Sequence, residues 1–163
     1  MKLDSFNDLM ESKLRSLYSA EQEFAAAQPA MVEAASGDEL RAALEGHVAV
    51  TQRQLERLGE VARLLGVSLE GERYEAALGL VKEGQKVLET AGDPFIKDAA
   101  LLAAAQAIEH FEIAGYGTAA AYARRLGRAD VEALLEQMLA EERGADLLLT
   151  EVAEASVNPQ AAL

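Results

Sequence analysis

Helical periodicity runs through this chain with few interruptions, and it constrains the fold more than any other feature. Apolar residues recur at spacings of three and four, and nowhere do they alternate with polar residues for more than a few positions. Clusters of Gly, Pro and Asp divide the chain into predicted helices at residues 3–35, 38–65, 74–90, 94–126 and 129–156. The sequence therefore predicts an all-α protein.

The residues between these segments are typical of helix ends. Ser36 or Asp38 is the expected N-cap of the second helix, and Gly66 its expected C-terminal stop. Asp93 is expected to cap the long helix that Pro94 opens. These boundaries separate four long helices and one short one.

The lengths of the connections predict how the long helices are arranged. Joins of two or three residues follow the first and third long helices, so each of these pairs forms an antiparallel hairpin. The middle connection of about 28 residues includes the short helix and can cross the length of a bundle. This order predicts a ferritin-like four-helix bundle in a single domain over residues 1–163. Pro29 is expected to kink or divide the first helix, and the last few residues, beyond Asn158-Pro159, are expected to be disordered.

Composition excludes several classes of function. The chain has 28 acidic and 15 basic residues, a net charge of −13, which argues against a nucleic-acid partner. It has no Cys, so disulfides, thiolate metal sites and cysteine nucleophiles are excluded. The acidic N-terminal residues do not resemble a secretory signal, so a cytoplasmic location is predicted. The apolar stretch at 99–123 holds two glutamates near its centre, so we expect no membrane span there.

Acidic residues interrupt the apolar stripes of three long helices. Glu21 lies on the stripe of the first helix, Glu109 and Glu112 on that of the third, and Glu142 and Asp146 on that of the fourth. A single Glu in such a place can reach solvent at the edge of a bundle. Three helices with acids at corresponding depth are harder to explain in this way. Buried carboxylates repel one another unless a cation compensates them, so the pattern favours a metal site.

The residues around these acids resemble a known family. Residues 18–21 (Tyr-Ser-Ala-Glu), 98–101 (Asp-Ala-Ala-Leu) and above all 109–118 (Glu-His-Phe-Glu-Ile-Ala-Gly-Tyr-Gly-Thr) are similar to the YciF-type stress proteins, a branch of the ferritin-like superfamily. The resemblance covers nearly the whole chain. It implies a dimeric four-helix bundle linked to stress responses, without an agreed activity, and with a two-metal site for iron or manganese. The ligands it implies are Glu21, Glu109, Glu112, Glu142 and Asp146.

The second helix departs from the ferritin-like pattern. Its expected Glu-x-x-His is matched here by Ala49 to Gln52, with Glu45 one turn earlier as a substitute. The site is therefore predicted to be degenerate. A single metal, a magnesium- or calcium-like oxygen site, and a metal-free site with shared protons all stay open. We expect His47 to be an ordinary, partly exposed or interface residue, and His110 to contact a neighbouring helix or a ligand from behind.

Two functional hypotheses follow from the sequence. One is a ferritin-like stress-response protein, dimeric through its alanine-rich faces, with a carboxylate-rich metal site. The other is a non-catalytic structural or interaction protein of the stress response, whose carboxylates are vestigial. Iron storage is disfavoured, because it needs a complete oxidation site and a hollow cage. Tyr116 is expected to be a core residue with a satisfied hydroxyl, although its place on the site face also suits electron transfer.

Overall fold

The computed structural model of the protein describes residues 3–71 and 73–163, and within them every regular element is helical. Met1, Lys2 and Glu72, which the single-domain prediction includes, lie outside the described residues. The elements are α1 (Phe6–Ala34), α2 (Asp38–Leu65), α3 (Glu75–Glu89), α4 (Pro94–Arg125), α5 (Ala129–Val152), a π-helical turn (Ala153–Val157) and α6 (Asn158–Ala161). All five predicted helices are present.

Helices α1, α2, α4 and α5 form the predicted four-helix bundle. Residues 35–37 join α1 to α2 and residues 126–128 join α4 to α5, so each pair is an antiparallel hairpin. The hairpins pack together through α1 with α4 and through α2 with α5, while α3 in the crossover packs on α1 and α4. In the described part of the chain, no helix has the length and apolar character needed to cross a membrane.

Two predictions about where helices are interrupted differ from the structure. Pro29 does not divide the first helix, because α1 continues from Phe6 to Ala34 with Pro29 inside its last turns. Beyond Val152 the chain continues through the π-helical turn into α6, so residues 158–161 are helical. Disorder of the few residues after them stays a prediction.

The N-terminus of α2 is capped by a residue from another helix. The sequence suggested Ser36 or Asp38, but the N-cap position is Gly37 and no local side chain caps it. Instead, the buried carboxylate of Asp98 in α4 accepts hydrogen bonds from the backbone N–H groups of Ser36 (2.9 Å) and Gly37 (2.7 Å). The expected caps at Asp93 and Gly66 are confirmed.

We expect Asp98→Ala to destabilise the fold more than the loss of an ordinary cap. The substitution leaves two backbone donors without their charged acceptor, which should lower the free energy of unfolding by about 2–3 kcal/mol. Ser36→Ala keeps the backbone donor and is the matched control, with a change below about 0.5 kcal/mol. Urea titrations of both variants measure this, and equal losses would contradict the tertiary cap.

The apolar core consists of two clusters at different positions along the length of the bundle. One includes Leu17, Leu58, Tyr116, Leu135 and Met138, and the other includes Phe24, Leu44, Leu102, Ile108 and Leu149. On each of the four long helices, a buried polar residue lies between members of the two clusters. The core is therefore divided by a polar layer.

Candidate metal centre

Side chains from all four long helices make up the polar layer. Its members are fully or almost fully buried: Glu21 of α1, His47, Thr51 and Gln54 of α2, Glu109 and Glu112 of α4, and Glu142 of α5. The layer thus includes four of the five acids that the sequence singled out. Because it lies between apolar clusters, its charges are less well hydrated than charges at a surface.

Four members of the layer form a compact group with the composition of a metal site. The Nε2 atom of His47 lies 3.6 Å from Glu109 Oε1, 3.7 Å from Glu142 Oε2 and 4.0 Å from Glu112 Oε2. One ligand atom from each of the four residues falls within 4.8 Å of all the others. These residues come from three different helices, α2, α4 and α5.

The group contains more buried polar atoms than the protein provides with hydrogen-bond partners. Among the described residues, the buried atoms without a hydrogen-bond partner include both ring nitrogens of His47, both carboxylate oxygens of Glu112, Glu109 Oε2 and Glu142 Oε2. Buried polar atoms are normally paired, so such a concentration needs an explanation. The carboxylate oxygens and the ring nitrogen of this group lie close enough together to bind one cation.

Glu21 lies on the α1 side of the layer and connects it to Tyr116. The buried Tyr116 hydroxyl donates a hydrogen bond to Glu21 Oε1. The carboxyl group of Glu21 also lies close enough to that of Glu112 for each to affect the pKa of the other. The expectation of a core tyrosine with a satisfied hydroxyl is therefore confirmed, and its partner is a member of the site.

Two side-chain amides, one from α1 and one from α2, form hydrogen bonds with other members of the layer. Gln54 donates through Nε2 to Glu142 Oε1, and Gln28 of α1 donates to Thr51 Oγ1 at 2.8 Å. Next to Gln54, Arg57 forms a partly buried ion pair with Glu141, with Nη1–Oε distances of 2.6 and 2.7 Å. These bonds tie α2 to α1 and α5 and limit the movement of the layer.

Burial changes the protonation of the carboxyl groups. It raises the pKa of Glu109 to about 10, helped by the nearby carboxyl group of Glu142 and by other negative charges. It raises the pKa of Glu21 to about 8, against the opposing effects of the neighbouring Glu112 and of the hydrogen bond from Tyr116. The pKa of Glu112 is also raised, first by burial and then by the charges of Glu21 and Glu142. Without a cation, the layer is expected to hold several protons at neutral pH.

Burial lowers the pKa of His47, although the charges of Glu142 and Glu141 partly oppose this shift. The imidazole is therefore neutral at pH 7, which is the form that binds metal ions.

The residues fit a divalent transition metal. Oxygen and nitrogen ligands lie about 2.0–2.2 Å from such an ion, so ligand atoms around it are at most about 4.4 Å apart. The 4.8 Å span of the group is therefore close to the required size. His47 Nε2 and one oxygen each of Glu109, Glu112 and Glu142 would hold the ion.

Asp146, the fifth predicted ligand, lies outside this compact group. Its side chain is 23% exposed, and its Oδ1 lies 3.3 Å from Nε2 of the exposed His110 and 3.2 Å from Nε2 of Gln106. His110 thus makes the expected contact with a neighbouring helix. A direct role of Asp146 as a ligand stays a prediction.

The second helix faces the site in a different register from the one predicted. Ala49, Gln52 and Glu45 are all exposed, so none of them fills the expected ligand position. His47, predicted to be ordinary and partly exposed, is instead only 8% exposed and lies in the centre of the layer. A helical stripe would have revealed it, because Leu40, Leu44, His47, Thr51, Gln54 and Leu58 follow at spacings of three and four and are all buried.

We expect Tyr116→Phe to destabilise the metal-free protein by about 1–3 kcal/mol, because a buried oxygen of Glu21 loses its donor. The same variant should keep its metal affinity within a few-fold, since Tyr116 lies outside the compact group. Urea unfolding in chelator measures the first effect and calorimetric metal titration the second. Tyr122→Phe, on the same helix but only half-buried and outside the layer, is the matched control. An equal loss of stability in both variants would contradict the role of the Glu21 contact.

The bundle and its buried layer define a class: a four-helix protein with a carboxylate and histidine centre between its hairpins. The chain belongs to the family described as domain of unknown function DUF892, which matches residues 5–162. Protein YciF of Escherichia coli is 35% identical over 162 residues, 99% of this chain and 98% of the relative.

Two solved structures show the same fold over nearly their whole length. The crystal structure of the E. coli stress protein YciF superimposes with a TM-score of 0.92 at 34% identity, covering 96% of this chain and 99% of that one. YcfI from Rhodopseudomonas palustris gives a TM-score of 0.89 at 39% identity, covering 94% of this chain and 99% of that one. The resemblance of this chain to the YciF-type proteins is therefore confirmed at the level of the family and the fold.

Proposed function

We propose that the chain binds a divalent transition metal, iron or manganese, in the polar layer of its bundle. The observation that carries the proposal is the convergence of His47, Glu109, Glu112 and Glu142, whose unpartnered buried atoms lie close enough to share one ion. By similarity to the E. coli relative, which is described as a stress protein, we place this activity in a stress response.

The ligand set narrows the choice among metals. Magnesium and calcium prefer oxygen ligands alone, whereas imidazole suits transition metals. With His47 in the group, the mixed set of one nitrogen and several carboxylate oxygens favours iron or manganese over the magnesium- or calcium-like site. A bound ion of this kind would act as a Lewis acid or a redox centre.

The centre has fewer potential ligands than a complete two-metal site. The carboxyl groups of Glu21 and Glu112 lie close enough to affect each other's pKa, so a second ion next to the first would have carboxylate ligands. A second imidazole is missing, however, because His110 is exposed and Gln54 occupies the inward position on α2. We therefore propose one tightly held ion and a much weaker second position.

A metal-free structural role is the second candidate, and a specific observation favours it. The raised pKa values of Glu21, Glu109 and Glu112 allow protons to replace a cation in the layer. In this case the layer would only connect the four helices. The predicted homodimer is compatible with both candidates and stays a proposal.

Metal analysis of protein purified without chelator distinguishes the two candidates. We expect about one equivalent of iron or manganese per chain, and a rise in melting temperature when either metal is added to stripped protein. A protein without metal whose stability does not respond to added iron or manganese would support the structural role instead.

A further inference from the structure

A pocket of about 240 Å³ lies between α2 and α5 and reaches the polar layer. Gly46, Gly144 and Leu148 at its rim are exposed, whereas His47 and Glu109, which also line it, are more than nine-tenths buried. The pocket therefore leads from the surface to two members of the candidate metal centre.

The walls of the pocket are mostly apolar, and its inner end is polar. Leu44, Val50, Ala145 and Leu149 are among the wall residues, Glu141 also lines the pocket and is paired with Arg57, and among the described residues no Lys or Arg does so. At the inner end, both ring nitrogens of His47 and one oxygen of Glu109 have no hydrogen-bond partner. An apolar cavity of about 150 Å³ can take up benzene, so this pocket has room for one substituted ring.

We infer that this pocket binds a small uncharged molecule with an apolar body and a single hydroxyl end, which reaches His47 and Glu109. The inference deepens the proposed function and rests on it, because the inner end of the pocket is the candidate metal centre. An anionic end has no proton to donate to the unpartnered oxygen of Glu109 in the metal-free centre, and a cationic end would find the carboxylate oxygens of the loaded centre already bound to the ion. A hydroxyl is compatible with both states.

Phenol is the probe that tests this inference, in metal-free and in manganese-loaded full-length protein. We expect saturable binding in both, with a dissociation constant on the order of 1 mM, as is usual for so small a ligand. Benzoate should bind at least tenfold more weakly to the metal-free protein, and benzylamine at least tenfold more weakly to the loaded protein. Equal binding of the charged probes would overturn the assignment of an uncharged ligand.

Two glycines of α2 provide a matched pair of variants. A Cβ atom at Gly46 or at Gly59 would meet nothing within 4 Å, so α2 should accept a larger side chain at either position. Gly46→Leu narrows the pocket and should weaken phenol binding at least tenfold, whereas Gly59→Leu, outside the pocket, should change it less than twofold. If the Gly46→Leu protein does not fold, the same measurement is made on Ala145→Leu, which narrows the pocket from the α5 side.

The outcomes separate this inference from the proposed function. Phenol binding that Gly46→Leu blocks, in a protein that takes up no manganese, would support the pocket and contradict the metal proposal. Manganese uptake without phenol binding would contradict the pocket alone. Absence of phenol binding together with dissociation of a dimer by Gly46→Leu would show that the groove is an interface between copies of the chain, which also overturns the inference.

Discussion

Glu112→Gln should lower the affinity for manganese or iron at least 100-fold and at the same time stabilise the metal-free protein. Glu112 is fully buried in the compact group, and both of its oxygens are unpartnered. Gln keeps the shape of the side chain but supplies only a weak neutral ligand, so the metal loses one of its carboxylates.

The gain in stability follows from the sign of the pKa shift. Burial raises the pKa of Glu112, so above its ordinary value of 4.5 the folded state keeps a proton that the unfolded state has lost. Folding is therefore penalised increasingly as the pH rises from about 5. Removing this acid should raise the free energy of unfolding at pH 8, in chelator, by about 1–4 kcal/mol.

Glu151→Gln makes the same chemical change on the exposed surface of α5 and is the control. It should leave metal affinity within about twofold and stability within about 0.5 kcal/mol. Calorimetric metal titration and urea unfolding of both variants measure the two effects. A Glu112→Gln protein that keeps its metal, or that loses stability without metal, would contradict the role assigned to this residue.

Metal affinity should also rise steeply with pH. The pKa of the proposed ligand Glu109 is raised to about 10, so its carboxyl group carries a proton between pH 6 and 7.5. A metal ion binds the deprotonated form and must displace this proton. Each displaced proton makes the affinity rise about tenfold per pH unit, so we expect an increase of at least tenfold from pH 6 to pH 7.

His47 adds less to this dependence than an ordinary histidine, because burial lowers its pKa. Titrations in buffers of different ionisation enthalpy count the released protons directly. We expect at least one proton per ion at pH 7. An affinity that is constant from pH 6 to pH 7.5, with no proton release, would contradict the protonated state of the layer.

The fold was predictable because residues that favour helix starts and helix ends recur between the apolar, helically periodic segments of the sequence. Asp93 and Pro94 open α4 as expected, and Gly66 ends α2 in the left-handed conformation that suits glycine. Two features were not predictable from local sequence. The cap of α2 comes from Asp98, 61 residues after the N-cap position Gly37, and Pro29 is accommodated inside a helix that tertiary packing stabilises.

The candidate site was predicted in part, and the error has a physical cause. Glu21, Glu109, Glu112 and Glu142 are buried as the apolar stripes of their helices indicated. His47 was missed because the register of α2 was taken from a Glu-x-x-His spacing that this chain lacks. The stripe that runs through Leu44, His47 and Thr51 was the better guide, since burial of a helix face depends on its own periodicity.

A crystal structure of the manganese-loaded protein, with an anomalous difference map at the manganese edge, tests the central proposal most directly. We expect one strong peak within ligand distance of His47 Nε2 and of carboxylate oxygens from Glu109, Glu112 and Glu142. The same map for Glu112→Gln should lose that peak. A loaded wild-type crystal with no peak in the polar layer, or with its only peak between the exposed His110 and Asp146, would contradict a metal centre at His47.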